Sequence, residues 1–101
     1  MPKLNFELPA KQNADEAFGK IQTFLSSENH FTRLDPKLVT TFDQNNKQCH
    51  LKGSQFQAEI KVKQDDQKSV VHVAIDIPFA LALFKGKIQQ EIEKAFTKIL
   101  T

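Results

Sequence analysis

Between positions 56 and 77 the chain alternates apolar and polar residues twice over. Phe56, Ala58, Ile60 and Val62 interleave with Gln57, Glu59, Lys61 and Lys63. After the polar pair Asp65 and Asp66, Val71, Val73, Ile75 and Ile77 interleave with His72, Ala74 and Asp76. A period of two sends successive side chains to opposite faces of a strand. The two runs therefore predict an antiparallel hairpin with one core face and one solvent face. Whatever else the chain does, it must supply a cover for that apolar face.

The flanking segments supply strands and covers. Leu4, Phe6 and Leu8 alternate with Asn5 and Glu7, a strand that Pro9 is expected to stop because proline cannot donate to a ladder. Asn13 precedes Ala14-Asp15-Glu16, a helix start with a capping side chain and two acids at the positive end of the dipole. Ala14, Phe18, Ile21 and Leu25 follow at helical spacing, with Ala17 and Phe24 widening the stripe, and the helix should fade at Ser26-Ser27. Gly19 inside it costs on the order of 1 kcal/mol against alanine, and a close-packed crossing against the sheet is the expected reason for it. His30 to Pro36 reads as a loop. Leu38 to Phe42 reads as a strand, Asp43 to Asn46 as a turn with asparagine in the left-handed region, and Lys47 to Leu51 as the returning strand. Gly53 marks a bulge or bend.

Pro78 ends the last strand and is also placed to start a helix. From Phe84 onward, Ile88, Ile92, Ala95, Phe96 and Ile99 recur at three- and four-residue steps, an amphipathic helix running to the end of the sequence. The order is β-α-β-β-β-β-α. The predicted fold is α+β: one domain over residues 1–101, with a single mostly antiparallel sheet of about five strands and two helices on its apolar face.

Charge and cysteine usage narrow the function classes. With 14 Lys+Arg against 12 Asp+Glu the net charge is +2, too small to imply a nucleic-acid partner. The nine phenylalanines fall almost entirely on core stripes, and the chain holds neither tyrosine nor tryptophan to stack on bases. The N-terminal residues lack the apolar core of a signal peptide, and no apolar run approaches the ~20 residues of a membrane span. A cytoplasmic protein that folds without cofactor, metal or cross-link is expected.

No catalytic residues are expected either. Cys49 and His50 are neighbours on a strand and point to opposite faces, so they cannot pair as nucleophile and base. Facing the core, Cys49 is a small hydrophobe. His72 and Asp76 share a face but stand about 13 Å apart along the strand, too far to bind one metal without ligands from loops. The glycines at 19, 53 and 86 are isolated, so no phosphate loop exists.

The segment Ile77-Pro78-Phe79-Ala80-Leu81-Ala82-Leu83-Phe84 stands apart, because it is apolar on every side. Such a segment must be buried, inserted or covered by a partner. It could plug the end of the core, form a dimer interface, or rest on an apolar surface with Lys85 and Lys87 at its polar border.

Continued through Lys85-Gly86-Lys87-Ile88 to Glu91-Ile92, that run resembles the end of the polyhydroxyalkanoic acid system proteins, small bacterial proteins named for an association with polyhydroxyalkanoate granule genes. The similarity extends back through Gly53 and the alternating strand to Val62, and more loosely to the helix near Ala14. The family pattern has a second glycine near position 56, where this chain has Phe56. The resemblance implies a link to granules of a hydrophobic polyester and carries no catalytic residues. The element order is also similar to a reduced helix-grip (START-like) domain.

The leading expectation is a non-enzymatic accessory protein that meets a granule, or a granule-associated protein, through Phe79, Leu81, Leu83 and Phe84, with Lys85 and Lys87 orienting it. The alternative is a small carrier of a hydrophobic ligand, with Phe56, Ile60, Val73, Ile88 and Ile92 lining a cavity between sheet and last helix. A structural homodimer built on the same apolar segment is a third reading.

Overall fold

The hairpin that dominates the sequence forms the centre of the sheet. In the computed structural model, which describes residues 3–27, 37–54 and 56–100, β4 (Gln57–Asp65) pairs antiparallel with β5 (Lys68–Asp76) along its whole length. Their two-residue connection places Asp66 at φ 59°, a left-handed position that aspartate tolerates better than most residues. β1 (Lys3–Ala10) pairs with the other side of β5. β3 (Gln48–Lys52) pairs with β4, and β2 (Val39–Asp43) with β3, giving the antiparallel order β1-β5-β4-β3-β2. Two helices, α1 (Ala14–Ser27) and α2 (Lys85–Leu100), complete the fold, with a 3-10 helix (Phe79–Phe84) between β5 and α2.

The register brings one residue of each strand into line on the core face. Leu4, Ile75, Ala58, Leu51 and Thr40 form one row; Phe6, Val73, Ile60, Cys49 and Phe42 form the next. Buried side chains from this face meet Ala17, Phe18 and Ile21 of α1 and Ile92, Phe96 and Leu100 of α2 in a single core. Two edge-to-face ring pairs tie it together: Phe18 with Phe42, centroids 6.5 Å apart, and Phe24 with Phe96, 5.8 Å apart.

The start of α1 is fixed from two sides. Asn13 Oδ1 accepts from the Glu16 amide at 2.9 Å, the cap anticipated from sequence. Gln64 Oε1 accepts from the Ala14 amide at 2.7 Å, so the end of β4 satisfies a second free donor of the helix.

Three local expectations are corrected. β1 does not stop at Pro9 but continues to Ala10, because β1 is an edge strand, where a missing donor is tolerated. The left-handed residue of the β2–β3 turn is Lys47 (φ 52°), not an asparagine. Asparagines 45 and 46 instead donate to the Asp43 carboxylate, holding it below the usual carboxylate range chiefly through the Asn46 side chain. Gly19 is not at a close crossing, since a Cβ built there would meet no atom within 4 Å. Gly53, expected at a bulge or bend, opens a tight β3–β4 turn, its amide donating to the Phe56 carbonyl at 2.9 Å. The reading of 30–36 as a loop falls outside the described residues.

Candidate functional site: an exposed apolar helix beside a lysine border

Pro78 sets up the site. With φ −57° and ψ 146° it leaves β5 extended, and its carbonyl accepts from the Leu81 amide at 2.9 Å to start the 3-10 helix. Three residues per turn spread the apolar side chains of a 3-10 helix around its axis, so one neighbouring layer cannot cover them all. Ile77 is the last core residue before the 3-10 helix, and none of the six helical residues is buried. Phe79 is 74% exposed, Leu81 38%, Leu83 95% and Phe84 55%. The segment therefore does not plug the end of the core. Lys85 and Lys87 follow in the first turn of α2, both exposed.

The sequence-derived site thus divides in two. Phe79, Leu81, Leu83, Phe84, Lys85 and Lys87 are brought together at one end of the sheet, with their side chains reaching solvent. The five residues assigned to a cavity pack instead into or against the core: Ile60, Val73 and Ile92 within it, Phe56 and Ile88 against it. A chamber large enough for a ligand would leave its walls wetted, whereas Ile60 and Val73 retain 2% exposure each.

Cys49 and His50 do not pair. Cys49 is buried, and burial pushes its thiol from the ordinary 9.0 up to about 12, while His50 is exposed on the opposite face. His72 Nδ1 lies 3.3 Å from Glu7 Oε1 across the β1–β5 pair. Among the described residues no group of three His, Cys, Asp or Glu side chains could hold a metal ion.

One feature escaped the sequence reading. An open depression of about 290 Å3 crosses the outer face of the sheet, lined among others by Lys3, His50, Lys52, Glu59 and Asp76. Lys3 and Lys52 are far apart in sequence, and only the register Lys3–Asp76–Gln57–Lys52 places them in one row. No local pattern signals such a row.

Residues 9–100 match the family described as "Putative polyhydroxyalkanoic acid system protein (PHA_gran_rgn)". The chain belongs to that family. A comparison with curated proteins finds no match. Solved structures share the fold at low identity. The protein TTHA0849 from Thermus thermophilus is 8% identical, with TM-score 0.63, over 98% of this chain and 94% of that one. The di-domain ARO/CYC protein BexL from the BE-7585A biosynthetic pathway is 10% identical, with TM-score 0.66, over 99% of this chain and 45% of its own. Ara h 8.0201 is 13% identical, with TM-score 0.54, over 98% and 97%. These likenesses place the polyhydroxyalkanoic acid system chain among helix-grip (Bet v1-like) folds, as a five-stranded form. No helix among its described residues is long and apolar enough to cross a membrane.

Proposed function

We propose that this chain is a non-enzymatic, cytoplasmic accessory protein of the polyhydroxyalkanoate system that docks on the granule surface through its 3-10 helix. The observation that carries this reading is the exposure of Phe79, Leu81, Leu83 and Phe84 on one short element. Family membership supplies the context, a hydrophobic polyester store. Burying two such side chains yields about 3–6 kcal/mol before ordering costs, which suits reversible docking. The packing of Ile60, Val73 and Ile92 into the core weighs against the carrier reading.

The test is co-sedimentation with isolated polyester granules. The unsubstituted chain should pellet, and Leu81→Asp and Phe84→Asp variants with unchanged melting curves should stay in the supernatant. If those folded variants pellet as well as the unsubstituted chain, the reading fails. Sedimentation velocity of the free protein at low micromolar concentration separates off the remaining case: an obligate dimer that loses its partner on Leu81→Asp would mean that the helix is a subunit interface.

A further inference from the structure

The apolar helix stands at a cationic end of the molecule. The last row of the sheet runs Lys3, Asp76, Gln57, Lys52 and Val39, and the 3-10 helix begins three residues beyond Asp76. Lys85 and Lys87 occupy the first turn of α2, which contains no acid. Cations at that position oppose the helix dipole, which favours negative charge there. Four lysines therefore share this end with Phe79, Leu81, Leu83 and Phe84, against Asp76 in the same row and Glu59 two rows further in. Asp76 Oδ1 lies 3.9 Å from Lys3 Nζ, a loose pair in which Lys3 is exposed and Asp76 half-buried.

The opposite end carries both signs in near balance. Asp15 and Glu16 open α1, Asp43 flanks the β2–β3 turn, and Asp65 and Asp66 lie at the β4–β5 turn. Lys11, Lys47, Lys63 and Lys68 lie among these acids. Against that mixed end, the four lysines beside the exposed apolar groups form a local cationic cluster. Such a cluster favours approach of the lysine end to a negative surface.

Resting on the docking reading above, we infer that the surface this end meets is an anionic lipid interface: phosphate headgroups for Lys3, Lys52, Lys85 and Lys87, and acyl chains for the apolar helix. Amphipathic surface binders combine these two attractions. Juxtaposed lysines contribute roughly fivefold each in affinity for an anionic leaflet, an effect that fades as salt screens it.

The experiment is flotation of the full chain with three surfaces: vesicles of phosphatidylcholine alone, vesicles with about one-third phosphatidylglycerol, and uncoated polyester particles. The anionic vesicles should bind at least tenfold more tightly than the neutral ones at about 0.1 M salt, with the preference lost near 1 M. Lys85→Gln/Lys87→Gln should weaken anionic binding by tenfold or more, and Leu81→Asp should abolish it. The vesicle comparison requires no variant to fold. Equal binding to neutral and anionic vesicles overturns the lipid inference. So does binding to bare polyester without binding to anionic vesicles, which leaves the docking reading standing. Binding to none of the three, together with none to isolated granules, overturns both.

Discussion

Gly19 shows how a residue can be conspicuous in sequence and unconstrained in structure. It sits within α1 with no atom within 4 Å of where a Cβ would be and with φ outside the left-handed region. Nothing then offsets the backbone entropy that glycine loses in a helix. Gly19→Ala should raise the unfolding free energy by about 0.5–1 kcal/mol, measured by urea denaturation. A loss of stability would mean that the helix does pack closely there. Cys49 is the reverse case. Its alternation with His50 set the two on opposite faces, and the buried thiol puts Cys49 on the core side. The left-handed Lys47 was not legible, because turn propensity ranks asparagine above lysine while the register of β2 and β3 decides which residue takes that position.

At the scale of elements, the two adjacent helices 79–84 and 85–100 are both rich in apolar residues yet have opposite fates. α2 lays Ile92, Phe96 and Leu100 into the core at helical spacing. The 3-10 helix buries none of its residues. Stability should follow burial: Phe96→Ala should cost about 3–5 kcal/mol, and Leu83→Asp should change stability by no more than about 0.5 kcal/mol. Comparable losses from both substitutions, read from denaturant midpoints, would contradict the assignment of surface and core. The existence and order of strands and α-helices were readable because periods of two and of about 3.6 are written directly into the hydrophobic pattern. Pro9 misled because its cost depends on whether a strand lies at an edge, and strand order is not local information. The exposed state of residues 79–84 fits two of the three readings the sequence left open, since an apolar run does not say what will cover it.

For the whole molecule, the sheet makes one face a core and leaves the other to solvent, while one end carries the exposed apolar helix beside a cluster of lysines. The lysine row was not readable because Lys3 and Lys52 meet only through the pairing of β1, β5, β4 and β3. The central claim is that the 3-10 helix is wet in the free protein and dry when docked. Leu83, 95% exposed, is the place to measure it: a Leu83→Cys variant carrying a polarity-sensitive fluorophore, with the buried Cys49 left in place. Emission should be that of a water-exposed dye in the free protein and shift to the blue when polyester granules are added. A dye already shielded in the free monomer, or one whose emission is unmoved by saturating granules, would contradict the account.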